Sequence, residues 1–140
     1  MRVTKVALVR IAHQNRGVTL DWEKLCAVAL AEVEETLASL PEPLRERAER
    51  LPVIFERQPN PGLQADGIEA DTLGVFTGAE FVEENDVPPP PQIILFLKNI
   101  WDVAETNEKL FCVEVRTTFL HELGHYLGLD EDELTERGLE

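Results

Sequence analysis

Apolar positions recur at helical spacing in two long stretches of the chain and form short alternating or unbroken runs between them. From Asp21 onward, Trp22, Leu25, Ala29, Val33, Leu37 and Leu40 share one face, which predicts a helix over residues 21–39 with Asp21 as its N-cap. A short helical turn is expected over 44–50 and a strand over 53–57. Residues 58–71 read as a loop, punctuated by Asn60-Pro61-Gly62 and Gly67. A second strand is expected over 73–77, with Gly74 inside it marking a bulge or a close backbone approach. Residues 92–98 form a third, strongly hydrophobic strand, and a short helix near 100–104 follows.

The last long stretch carries Phe111, Val115, Phe119, Leu123 and Leu127 as an apolar stripe, with Thr106 or Asn107 as the cap in front. Glu114, Thr118, His121, Glu122 and His125 fall on another face of the same helix. Gly128 permits the left-handed turn that ends a helix, and a final short helix starts near Asp130. Two segments stand apart. Residues 3–11 alternate imperfectly, so 1–20 read as an extension or an extra strand ahead of a domain spanning 21–140. Residues 83–91 are acidic and then proline-rich, an extended spacer or a rim facing a substrate. Short strands interleaved with helices place the chain in the α+β class.

One face of the last long helix also carries chemistry. His121-Glu122-Leu123-Gly124-His125 reads H-E-x-x-H, and two of the chain's 3 histidines are in it. Histidines four apart on a helix stand one turn from each other on one face, so two imidazoles can hold one zinc ion. The glutamate beside the first can reach a water activated by that zinc and act as general base. Each imidazole must be neutral to bind metal, so occupancy should fall in mild acid. Beyond Gly128 the pattern continues as H-E-x-x-H-x-x-G-x-x-E, which puts Glu131 at the place of a third ligand. Asp130, three before Glu133, has the spacing of a helix cap but competes for that role, and water is a further alternative. Thr118, one turn before Glu122, could support its carboxylate, and Tyr126 could serve an oxyanion or simply pack. His13 lies far away in sequence and is assigned no role.

With this motif, the chain resembles the small bacterial zincin-like metallopeptidases, whose pattern is H-E-x-x-H-x-x-G-x-x-D. Leu40-Pro41, the run Leu51-Pro52-Val53-Ile54-Phe55-Glu56, Asp71-Thr72-Leu73-Gly74-Val75-Phe76 and Ile93-Ile94-Leu95-Phe96 extend the likeness over about residues 20–140. The resemblance implies a minimal zincin-like fold, in which a small mixed sheet packs against helices that include the H-E-x-x-H helix. It implies Zn2+ on His121 and His125, completed by Glu131, with Glu122 catalytic. It also implies that the strand ahead of the active-site helix, residues 92–98, lies at the sheet edge beside the cleft. Its unpaired backbone groups would there bind an extended peptide by strand addition. Glu131 is a departure, one methylene longer than the family's aspartate. The only Met is Met1, so the chain lacks the Met-containing turn of the larger metzincins.

Composition narrows the partners. The net charge of −14 argues against nucleic acid and anionic membrane surfaces. No apolar run is long enough to span a bilayer, and the amino-terminal residues, broken by Lys5 and Arg10, do not read as a signal peptide. Cys26 and Cys112 read as reduced, buried thiols, so a cytoplasmic protein is expected. Three readings follow: a zinc metallopeptidase hydrolysing peptides or unstructured proteins, a non-catalytic zincin-like module that binds them without turnover, or an interaction module that holds no metal in the cell.

Overall fold

A computed structural model describes residues 21–78 and 91–128. The expectations for residues 1–20, for the acidic and proline-rich segment up to residue 90 and for the final helix near Asp130 lie outside the described residues. Helix α1 spans Trp22–Ser39, α2 Glu42–Ala48, strand β1 Val53–Glu56, α3 Pro61–Ala65, β2 Gly74–Thr77, β3 Gln92–Phe96, α4 Leu97–Val103 and α5 Glu108–Leu127. The fold is α+β, five helices around a three-stranded mixed sheet among the described residues.

Local chemistry fixes the helix ends. The Asp21 carboxylate accepts from the Lys24 backbone N–H at 3.0 Å, and Asn107 Oδ1 accepts from Leu110 N–H at 3.0 Å. Each satisfies one of the first-turn donors that a helix leaves unpaired. At the other end of α5, Gly128 takes φ +74°, and its N–H donates to the His125 carbonyl at 3.1 Å. An L side chain rarely adopts that conformation, so the helix stops one turn past the motif.

The strand order is β1-β3-β2, with β1 parallel and β2 antiparallel to β3. This corrects the sequence expectation that the strand before the motif helix lies at the edge: β3 is central. Its residues explain why. Ile93 and Leu95 enter the main core with Val53 and Phe55, while Ile94 and Phe96 pack on the opposite face with Ile54, Leu63 and Val75. A strand buried on both faces reads as an unbroken apolar run, whereas an edge strand with one wet face alternates. The strand is also shorter than 92–98, because Leu97 and Lys98 already begin α4. The loop expected over 58–71 holds α3, capped by Asn60 Oδ1 accepting from Leu63 N–H at 2.8 Å.

The main core lies between one sheet face and α1, α4 and α5. Phe111, Val115, Phe119 and Leu123 of α5 are buried, together with Leu25, Ala29, Val33 and Leu37 of α1. Burial of each larger side chain contributes about 2 kcal/mol, and this packing sets the orientation of α5. Buried Asn99 of α4 donates from Nδ2 to the carbonyls of Ala70 at 2.8 Å and Thr72 at 2.9 Å, tying down the chain just before β2.

Gly74 is where β2 meets α5. A Cβ placed there would sit 2.7 Å from Thr118 Cγ2 and 3.3 Å from the Ile94 carbonyl oxygen. Thr118 is β-branched and helical, which leaves it few χ1 alternatives, and the Ile94 carbonyl is backbone and cannot rotate away. Gly74→Ala should therefore destabilise the fold by about 1–3 kcal/mol through overpacking, outweighing the ~0.4–1 kcal/mol usually gained from a less flexible unfolded chain. Urea denaturation reads this directly, and an unchanged or raised midpoint would contradict the close approach.

Candidate metal centre

Three stripes on α5 divide its work. Phe111, Val115, Phe119, Leu123 and Leu127 face the core. Thr118, Glu122 and Tyr126, each one turn after the last, face β2. Thr118 packs on Gly74, Glu122 bonds to the Phe76 backbone, and the Tyr126 ring lies 5.7 Å from the Phe76 ring. His121 and His125 stand beside that second stripe, the first half-buried and the second exposed. The core stripe orients the helix, and β2 holds the glutamate.

The two histidine rings are nearly perpendicular, at 87°, and their Nε2 atoms are 3.2 Å apart. Two nitrogens bound at ~2.0–2.1 Å to one tetrahedral zinc lie about 3.3 Å apart, so the pair already has the spacing that zinc requires. One side-chain nitrogen of each histidine and one carboxylate oxygen of Glu122 all lie within 4.8 Å of one another. Two imidazole ligands suit zinc better than a hard cation such as Ca2+ or Mg2+, which prefers oxygen ligands alone.

Phe76 N–H donates to Glu122 Oε1 at 3.1 Å. Burial pushes the Glu122 carboxyl above its ordinary value of 4.5, opposed by His125 and by the Phe76 hydrogen bond. A raised carboxyl is better matched to accepting a proton near neutral pH than an ordinary one. The direction also sets a linkage in metal-free protein. The native carboxyl holds its proton to higher pH than the unfolded one, so the native state binds more protons above 4.5. This contribution to stability is present at low pH and is lost as pH rises through the native pKa. Glu122→Gln should flatten that decline, visible as a wild-type-minus-variant difference between urea melts in chelator at pH 4.5 and pH 7. A difference that does not change with pH would contradict it.

A family model for zincin-like metallopeptidases matches residues 48–139. The chain belongs to that family. No curated protein matches it. Within this zincin-like chain, the structure brings His121, Glu122 and His125 together, whereas Glu131 and its competitor Asp130 lie outside the described residues. Thr118 turns its methyl toward Gly74, and the hydrogen bond to the Glu122 carboxylate comes from Phe76. Tyr126 packs, as its ring contact with Phe76 shows. The Phe76 backbone donor was missed in the sequence because it is 46 residues from Glu122, and a main-chain N–H has no residue-type signature. The nearest signal was Gly74, two residues earlier, marking a close approach. No described helix is long and apolar enough to cross a membrane. Both cysteines are free thiols: Cys26 is buried as expected, and burial raises it to about 11, leaving it almost wholly protonated at neutral pH, whereas Cys112 is only half-buried.

Proposed function

We propose that this zincin-like chain is a zinc-dependent peptidase acting on peptides or unstructured protein segments. The carrying observation is the convergence of the His121 and His125 Nε2 atoms, 3.2 Å apart, beside a half-buried Glu122 anchored by β2. His121 and His125 hold the metal, and Glu131 is the proposed third protein ligand, with Asp130 or water as the alternatives. Zinc held there supplies Lewis-acid activation of water and of the scissile carbonyl. Glu122 accepts the proton of the attacking water and delivers it to the amide nitrogen as the C–N bond breaks. Phe76 N–H fixes the direction from which the carboxylate works.

The sheet supports the same reading at its β2 edge rather than at β3. Among the described strands β2 is an edge strand and meets the motif helix at Phe76, so an extended peptide adding along β2 would lie beside Glu122 and the histidine pair. The test is cleavage of a diverse peptide mixture by zinc-loaded protein, read by mass spectrometry. Cleavage that chelator stops and zinc restores supports the reading. Tight peptide binding by zinc-loaded protein without any cleavage would instead favour the non-catalytic binding module.

A further inference from the structure

A cavity of about 330 Å3 opens beside His121 and Glu122 and runs along α5 toward its N-terminus. Leu73, Gly74, Thr117 and Thr118 line it where β2 meets α5. Glu114 also lines it. Glu114 and His121 are seven residues apart, almost two turns, and therefore lie on nearly the same helix face about 10 Å apart along the axis. A lysine or arginine side chain whose backbone lies at the histidines covers most of that distance, and the Glu114 side chain reaches the rest.

The charge pattern gives the cavity a sign. Its ionisable lining is Glu114, His121 and Glu122, with no lysine or arginine. Among the described residues Glu114 has no ion-pair or hydrogen-bond partner, so its carboxylate is available to a cation in the cavity. The net charge of −14 adds a long-range attraction for cations. The apolar side of Leu73 and the threonine methyls suit the methylene stem of such a side chain, and the carboxylate suits its charged head.

We propose that this cavity is a specificity subsite for a basic residue adjacent to the scissile bond, with Glu114 pairing the substrate's lysine or arginine. The proposal rests on the peptidase reading for the position of the scissile bond, but its test is read by binding. Fluorescence anisotropy would measure fluorescent peptides that differ only in lysine or norleucine at one position, bound to zinc-loaded Glu122→Gln protein, which isolates binding from turnover. Lysine should bind about tenfold more tightly than norleucine, a preference of ~1.4 kcal/mol. That ratio should fall to near one when Glu114→Gln is added, and Glu114→Lys should favour a glutamate peptide over the lysine one. A lysine-to-norleucine ratio near one in the Glu122→Gln protein, or a ratio that survives Glu114→Gln, would overturn the subsite. If the lysine preference depends on Glu114 but wild-type protein cuts no peptide, the subsite stands and the hydrolytic reading fails.

Discussion

Glu122→Gln should reduce kcat/KM for peptide cleavage by about 10²–10⁴, the range general-base catalysis supplies, while leaving bound zinc unchanged. The substitution keeps the size of the side chain and removes its ability to accept a proton. The metal face remains, because His121 and His125 are positioned by the core stripe of α5 and by helical spacing, neither of which involves the carboxylate. The Phe76 N–H also keeps an acceptor, since a glutamine amide oxygen can take the place of Oε1. The variant should therefore fold at least as well as wild type at neutral pH, because burial disfavours the charged form of the wild-type carboxyl. Residual activity within tenfold of wild type, in protein with full zinc, would show that Glu122 is not the base.

The second large effect is on the metal itself. His121→Ala or His125→Ala removes one of two convergent nitrogens and should abolish stoichiometric zinc binding. Differential scanning fluorimetry makes the loss visible. With free zinc at 100 times its dissociation constant, binding stabilises the native state by about 2.7 kcal/mol, worth roughly 5–10 °C in a domain of this size. Wild-type protein should show that rise on adding zinc and lose it in chelator. Either alanine variant should melt near the chelated wild type whether or not zinc is present. His125 is exposed and His121 half-buried, and neither contributes to the apolar core, so the metal-free stability of both variants should lie close to that of wild type. A zinc-induced rise that persists in either variant would mean that other residues hold the metal.

The parts of the site fixed by one helix were legible in sequence; the parts that need the sheet were not. The spacing of His121 and His125 follows from helical geometry alone. The apolar stripe from Phe111 to Leu127, a cap at Thr106 or Asn107 and the terminating Gly128 together predicted that helix, and the structure makes Asn107 the cap. Strand order depends on pairings between distant segments, and β3 was assigned to the edge by analogy even though its unbroken Ile93-Ile94-Leu95-Phe96 run carried the signature of a central strand. α3 was hidden because Asn60-Pro61-Gly62 serves a turn as well as a helix start, with Asn60 as cap and Pro61 in the first turn. The Phe76–Glu122 bond joins a main-chain donor to a side chain in another element, and no periodicity encodes it. Glu114 was visible on the polar face with the histidines, but its cavity exists only once β2 is laid against α5.

Elemental analysis of the purified protein bears most directly on the central claim that His121 and His125 form a zinc centre. Protein prepared without chelators, dialysed against zinc and then freed of excess metal should retain about one zinc per chain, and His121→Ala protein treated identically should retain almost none. Wild-type protein that holds no zinc and gains none on dialysis would contradict the account.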